Sequence, residues 1–443
     1  MDNNMTITVY LHSLGCAKNL VDSELMSGIL KKENYLMVSD PVEADIIIVN
    51  TCGFIESAKM ESIETILEMA QYKECGKCRL LLAVGCMAEK YGAEMMESMP
   101  EIDGIMGSGH YQDIGRLICD KLNVDFCEPD AADNIYLERD QDAIGAMAYL
   151  KIAEGCDKQC SFCLIPQLRG EYKSRTIEEI LEEAAVLYKN GVKELVLLAQ
   201  DTTYYGTDIY GEPMLAKLLD KLARLPFAMI RLLYAYPGGI SDELISVMCR
   251  HDNICRYLDI PVQHGSDRIL AAMNRTDTAG QMLDVIRRLR EAMPDIALRT
   301  TLMVGFPGET EEDYHKLLDF MDQARFDWTG AFPYYQEEDT VAAAMPGQID
   351  NGVKQERLDQ LMQKAAVITE NALTRFVGKT MPVLVVDSAI DIYGEGWWAG
   401  RSQYQAPDVD GLIYFPSAAA QIGDILEIRI IKSDVYDLIG EEA

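Results

Sequence analysis

Three cysteines stand within eight residues in Gly155-Cys156-Asp157-Lys158-Gln159-Cys160-Ser161-Phe162-Cys163, with no fourth thiol nearby. That shortfall selects the chemistry. A structural zinc ion takes four closed ligands, whereas three thiolates on a cubane iron–sulfur cluster leave one iron open to hold a substrate or cofactor. The alternatives are a zinc knuckle completed by a distant residue, or three packed cysteines. A second trio, Cys16, Cys52 and Cys86, is spaced by 36 and 34 residues, and each member follows an apolar run, in Leu14-Gly15-Cys16, Asn50-Thr51-Cys52-Gly53 and Val84-Gly85-Cys86. In a parallel sheet the carboxyl ends of neighbouring strands converge, and a flanking glycine lets the backbone approach a bulky cluster closely. Taken singly, each such cysteine is more often a small buried hydrophobe. The repeated strand, glycine, cysteine context points instead to one shared site.

The first spacing, with the aromatic Phe162 before its last cysteine, resembles the radical S-adenosylmethionine (SAM) superfamily. The resemblance implies a 4Fe-4S cluster whose open iron is chelated by SAM, and reductive cleavage of SAM to a radical that abstracts hydrogen from carbon no side chain could deprotonate. Both trios in this order, followed by a small β-barrel, resemble the methylthiotransferases of that superfamily over essentially the whole chain. The match runs on through Leu164-Ile165-Pro166, Arg169-Gly170 and Ser174-Arg175. By that resemblance Cys16, Cys52 and Cys86 ligate a second 4Fe-4S cluster that carries the sulfur, and two SAM molecules are used, one for methyl and one for the radical. A low-potential electron donor such as flavodoxin or ferredoxin is implied as well.

The elements that must position these groups follow from periodicity. With 443 residues and a hydrophobic fraction of 49%, about three domains are expected. In residues 1–140 short apolar runs (Ile7 to Leu14, Ala44 to Val49, Leu80 to Val84) alternate with helical stretches such as Ile55 to Tyr72, the pattern of a parallel α/β domain. The acidic, aperiodic stretch Pro129 to Gly145 reads as an exposed linker. In residues 141–375 six strands are predicted, at Ala148 to Ile152, Glu194 to Ala199, Ile230 to Ala235, Tyr257 to Val262, Leu298 to Val304 and Trp328 to Tyr334. Helices between them make a partial (β/α)6 barrel with its chemistry at the strands' carboxyl ends. A polar helix, Asp350 to Arg375, leads into residues 376–443, whose short strands Pro382 to Val386, Gly411 to Phe415 and Ile425 to Ile431 fit a small antiparallel β-barrel resembling the TRAM substrate-docking module.

Strand ends supply the candidate SAM contacts. Gln200 and Asp201 follow the second barrel strand, Gln263 the fourth, and Gly305-Phe306-Pro307-Gly308 the fifth. Arg299 could face a carboxylate or pair within the barrel, and the polar residues could equally cap a helix or turn. Cys75 and Cys78 form a lone Cys-Gly-Lys-Cys without a second pair to complete a metal site, while Cys119, Cys127, Cys249 and Cys255 read as packing residues. The five histidines are scattered.

Charge bears on the substrate. Forty Lys plus Arg against 72 Asp plus Glu give a net charge of −32. Residues 376–443 hold four basic and eleven acidic side chains, a net of −7. Phosphate contacts from Lys and Arg carry most nucleic-acid affinity, so an acidic docking module disfavours direct nucleic-acid binding and suits a basic ribosomal protein, with the tRNA adenosine substrate used by one branch of the family as the alternative. The segment Ser13-Leu14-Gly15-Cys16-Ala17-Lys18-Asn19-Leu20-Val21-Asp22-Ser23-Glu24 also resembles the ribosomal-protein branch, which implies methylthiolation of an aspartate β carbon in small-subunit protein twelve. Trp397 and Trp398 either contact that substrate or fill the small barrel. A non-catalytic iron–sulfur electron carrier is the reading from another class. No cationic leader or membrane-length apolar run is present, and a cytoplasmic location is expected.

Overall fold

The computed structural model describes residues 6–122, 134–140 and 144–443. The chain forms two compact units, one of residues up to 144 with 149–158 and 163–190, the other of residues 145–148, 159–162 and 191–443.

In the first unit, β1 (Thr8–Ser13), β2 (Leu36–Met37), β3 (Ile46–Thr51), β4 (Leu80–Gly85) and β5 (Gly104–Gly107) form one sheet in the order β2-β1-β3-β4-β5. Every pair is parallel. The three predicted runs are the three central strands. Ile47, Val49, Leu81 and Ala83 face one core, with Ile66, Met69 and Met95, and Ile46, Ile48, Leu82 and Val84 face another, with Met26, Leu30 and Ile118. Cover on both faces explains why β3 and β4 are apolar at nearly every position, since neither side of the sheet meets water. Helices Ala17–Lys32, Glu56–Ala70, Cys86–Ser98 and Ile114–Leu122 supply that cover.

About half of the stretch predicted as an exposed linker lies outside the described residues. In the described part the expectation fails at Arg139, which is 2% exposed. Its guanidinium donates to Glu183 at 2.5 Å, to the Tyr149 carbonyl at 2.8 Å and to Glu24. Charge-rich composition reads as a solvated loop, but here opposite charges neutralise one another inside the fold.

After it come β6 (Met147–Lys151), a short antiparallel pair of β7 (Ala153–Glu154) and β8 (Lys173–Ser174), and two helices, Ile165–Arg169 and Ile177–Lys189. The second helix opens on a reciprocal capping box between Thr176 and Glu179, which satisfies two amide donors of its first turn.

In the second unit β9 (Glu194–Leu198) pairs in parallel with β10 (Met229–Leu232), and β11 (Tyr257–Asp259), β12 (Ala297–Val304) and β13 (Trp328–Pro333) form a second parallel set. A bridge between Ile230 and Ile254 links the two sets. Helices Leu215–Leu222, Asp242–Arg250, Ala279–Ala292 and Glu311–Ala324 alternate with these strands, as expected for the partial barrel.

Helix Asn351–Leu373 leads to a closed barrel of β14 (Thr380–Ser388), β15 (Trp397–Arg401), β16 (Ile413–Pro416), β17 (Ile425–Ser433) and β18 (Leu438–Glu442), in the order β14-β15-β16-β18-β17. Pairing is antiparallel except between β16 and β18, which the intervening β17 makes parallel. The small barrel is fastened to the partial barrel. Arg231 of β10 is fully buried, pairs with Glu194 at 2.8 Å and donates to the carbonyls of Ser402 and Gln403 at 3.0 and 2.9 Å. Arg401 meets the other oxygen of Glu194 at 2.8 Å, and Trp328 donates to the Tyr404 carbonyl at 3.0 Å. Among the described residues no helix is long and apolar enough to cross a membrane.

Candidate metal centres

Register brings the first trio together. Ser13 of β1 lies opposite Asn50 of β3, and Asn50 opposite Val84 of β4. Cys16, Cys52 and Cys86 therefore leave three adjacent strands at the same edge of the sheet, within two or three residues of those partners. Glycine makes the approach feasible. Gly15 has φ +85°, and a Cβ there would lie 2.8 Å from Cβ and 3.0 Å from Sγ of Cys52. Gly85, with φ +93°, would place its Cβ 2.3 Å from Oδ1 of Asn50. Left-handed backbone and closeness both demand glycine at these two positions.

The three thiols feel different surroundings. Burial pushes the Cys86 thiol up to about 11 against the pull of Arg169. Cys52 is raised, by burial first and by the nearby Cys16. Cys16 is solvent-accessible although densely surrounded; burial acts to raise it, but the charges of Lys18 and Arg169 and the backbone amides of Asn19 and Lys18 bring it below the usual thiol range. Among the described residues no three Cys, His, Asp or Glu side chains are drawn tightly around a single point, as one chelated ion would require. A cubane with one thiolate per iron holds its ligands farther apart than one ion does, so this donor set, three sulfurs and nothing harder, fits a cluster better than zinc.

Two buried polar residues knit these loops. Asn19 donates through Nδ2 to the carbonyls of Leu14 at 2.9 Å and Thr51 at 3.0 Å, at the ends of β1 and β3. Its Oδ1 accepts from Arg169 and lies 3.7 Å from Sγ of Cys86. Arg169 donates through Nε to Sγ of Cys86 at 3.1 Å and through Nη1 to Asp22 at 2.7 Å and Glu154 at 3.3 Å. Lys151, also fully buried, bonds Glu154 at 2.6 Å. Leu164 and Leu168 complete the packing on Cys86.

Cys156, Cys160 and Cys163 are all half-buried in one loop without regular structure. Within the first unit the Cys156 amide donates to the Gly170 carbonyl at 3.1 Å, Asp157 accepts from the Tyr172 amide at 2.8 Å, and Sγ of Cys163 accepts from the Ile165 amide at 3.4 Å. Within the second, the Ser161 amide and hydroxyl reach the carbonyls of Met273 at 3.0 Å and Ala272 at 2.9 Å, and Phe162 packs against the buried cluster that includes Ile269, Met303 and Phe306.

Of the candidate SAM contacts, Gln263 is the most telling. It is a non-glycine residue at φ +72°, 9% exposed, and its Oε1 is buried without a hydrogen-bond partner among the described residues. An orphaned buried acceptor on strained backbone is what a ligand's donor group would satisfy. Asp201 is buried and caps a short turn, accepting from the Thr203 amide at 3.0 Å and hydroxyl at 2.6 Å; Gln200 precedes it at the end of β9. Arg299 is paired within the barrel, with Asp259 at 2.9 Å and Asp410 at 3.4 Å. The amides of Gly305 and Phe306 are held by Glu309, at 2.8 and 3.4 Å, and the Phe306 ring is fully buried against Tyr334. Their amides and the ring are thus engaged within the protein.

Cys78 is buried beside the Leu80 carbonyl while Cys75 is exposed. Cys119 and Cys255 are buried and Cys249 half-buried; Cys127 lies outside the described residues. Trp397 is half-buried and stacks on Tyr393 at 4.7 Å, and Trp398 donates to the Ser417 carbonyl at 3.2 Å. Asn19 and the guanidinium of Arg169 had no role in the sequence reading, although Arg169-Gly170 was among its matching segments.

Known proteins bear on this arrangement. Residues 150–321 match the family model of the radical SAM superfamily, residues 8–107 that of uncharacterized protein family UPF0004, and residues 377–442 that of the TRAM domain. The chain is 44% identical over 441 residues to a protein of Clostridioides difficile (strain 630), covering 98% of each, and 46% identical over 436 residues to one of Desulfitobacterium hafniense (strain Y51), covering 97% of each. Both relatives are named ribosomal protein uS12 methylthiotransferase RimO. Among solved structures the radical SAM methyltransferase TsrM from Kitasatospora setae, with cobalamin and a 4Fe-4S cluster bound, superposes with a TM-score of 0.54 over 74% of this chain and 75% of that one, at 14% identity. That likeness is one of fold.

Proposed function

We propose, on the premise that this chain belongs to the RimO family of radical SAM methylthiotransferases, that it places a methylthio group on the β carbon of an aspartate in ribosomal protein uS12. Its cofactors are SAM and 4Fe-4S clusters. The observation that carries the residue assignment is the convergence of three thiols at the carboxyl ends of three adjacent parallel strands.

On this reading Cys16, Cys52 and Cys86 hold one cluster, and Cys156, Cys160 and Cys163 hold the other. When bound, the clusters supply reductive cleavage of SAM at one site and the sulfur for transfer at the other. The protein's own part is aim and shelter. Ser161 and Phe162 anchor the second loop. The Gln263 Oε1 would accept a hydrogen bond from bound SAM, and the Glu309 carboxylate fixes the Gly305 amide of the neighbouring turn. Buried Phe306 and Tyr334 pack on each other behind that turn and would keep water from it. The acidic small barrel receives the basic substrate. A cytoplasmic location and a flavodoxin or ferredoxin donor complete the proposal.

Mass spectrometry decides it. Anaerobic incubation of uS12 with this enzyme, SAM and dithionite is expected to add one methylthio group to an aspartate. Modification of a tRNA adenosine in an anticodon stem-loop, with uS12 left unchanged, overturns the substrate assignment; clusters without any 5′-deoxyadenosine formation would make the chain an electron carrier.

A further inference from the structure

Arg169 is six residues beyond Cys163, yet its guanidinium lies among the loops of the other trio. The helix Ile165–Arg169 that carries it is packed on Cys86 through Leu164 and Leu168. Nε faces Sγ of Cys86 at 3.1 Å, Nη2 reaches Oδ1 of Asn19, and Nη1 is held by Asp22 and Glu154. The side chain is 2% exposed. Asn19 in turn grips the carbonyls of Leu14 and Thr51, which precede Cys16 and Cys52. One guanidinium is therefore connected to all three ligand loops of the first trio.

We propose that Arg169 is a positioning residue of the Cys16, Cys52 and Cys86 site, one that sets the reduction potential of the cluster bound there and is supplied by the short helix that follows the loop of the other three cysteines. The inference rests on the assignment of that trio as cluster ligands. A fixed cation and N–H donors aimed at thiolate sulfur stabilise the more negative, reduced state of a cluster, and burial keeps water from screening them. Asp22 and Glu154 hold the guanidinium in place and also share the buried Lys151 ammonium, so removing Arg169 leaves two carboxylates beside the cluster with one cation between them. Both effects lower the potential.

The test is potentiometric titration followed by EPR on anaerobically reconstituted full-length protein, repeated with Cys156, Cys160 and Cys163 replaced by Ala so that one cluster gives the signal. Arg169→Gln is expected to keep the iron and sulfide content of the parent while the reduced-to-oxidised ratio at a fixed potential falls about tenfold, about 59 mV for a one-electron couple. Arg169→Lys, which keeps the charge, is expected to recover most of the shift. An unchanged potential in Arg169→Gln overturns the proposal. Should Arg169→Gln fail to take up the cluster, Arg169→Lys decides: loading with a near-parental potential supports it, and failure to load shows that shape rather than charge is what the site needs, which overturns it. A parent triple variant without any cluster would instead sink the ligand assignment itself.

Discussion

A methyl group at Gly15 would meet Cys52 at 2.8 Å on a backbone that side chains avoid, so Gly15→Ala must either move β1's exit loop or push the thiol away. The expected result is loss of the first cluster, read by iron analysis and Mössbauer spectroscopy, with 5′-deoxyadenosine formation retained; full iron content would refute the crowding argument. Asp410 makes a different prediction, one of stability. Burial pushes its carboxyl up to about 6 from 3.8, against the attraction of Arg299. Because the native carboxyl holds its proton to higher pH than the unfolded one, stability declines as pH rises from 3.8 through about 6, by up to ~3 kcal/mol. Asp410→Asn removes that slope. Its melting temperature relative to the parent should rise between pH 5 and pH 8, and a fall would reverse the assigned sign. The grouping of Cys16, Cys52 and Cys86 was legible because each stands beside a glycine at the end of an apolar run. The Asn19–Arg169 contact was not, since it joins residues 150 positions apart that no local pattern relates.

Elements were readable where burial is uniform. β3 and β4, covered on both faces, and all six partial-barrel strands were recognised from their apolar runs, with ends displaced by a few residues. β2 has two residues, β5 is a four-residue strand with glycine at both ends, and β18 finishes in Glu441-Glu442, so none presents the alternation that marks a strand. β15 escaped for another reason. Its adjacent Trp397 and Trp398 suggested a surface motif or a filled core, and the structure gives each ring an intermediate place, one stacked on Tyr393, the other tied to Ser417. Trp397 stacks on Tyr393, whose short helix exposes Ile390 and Ile392. Trp397→Ala is expected to raise the KM for uS12 several-fold while SAM cleavage and melting temperature hold. A large fall in melting temperature would place the ring in the core instead.

At the scale of the molecule, a net charge of −32 acts over distances that no single contact covers. Raising ionic strength from ~0.1 M to ~1 M shortens the Debye length from ~10 Å to ~3 Å. The KM for uS12 should climb roughly tenfold or more with little change in kcat, whereas added tRNA should compete weakly; salt-independent turnover would contradict a charge-guided encounter. The buried grip of Arg231 and Glu194 on residues 401–403 has a consequence of its own. A module so clamped is a jig, not a tethered arm, and the span from the landing place to the reacting carbon becomes a constant of the enzyme. Fragments of uS12 shorter than that span, though carrying the aspartate and the basic residues around it, should occupy the jig as competitive inhibitors and leave unaltered.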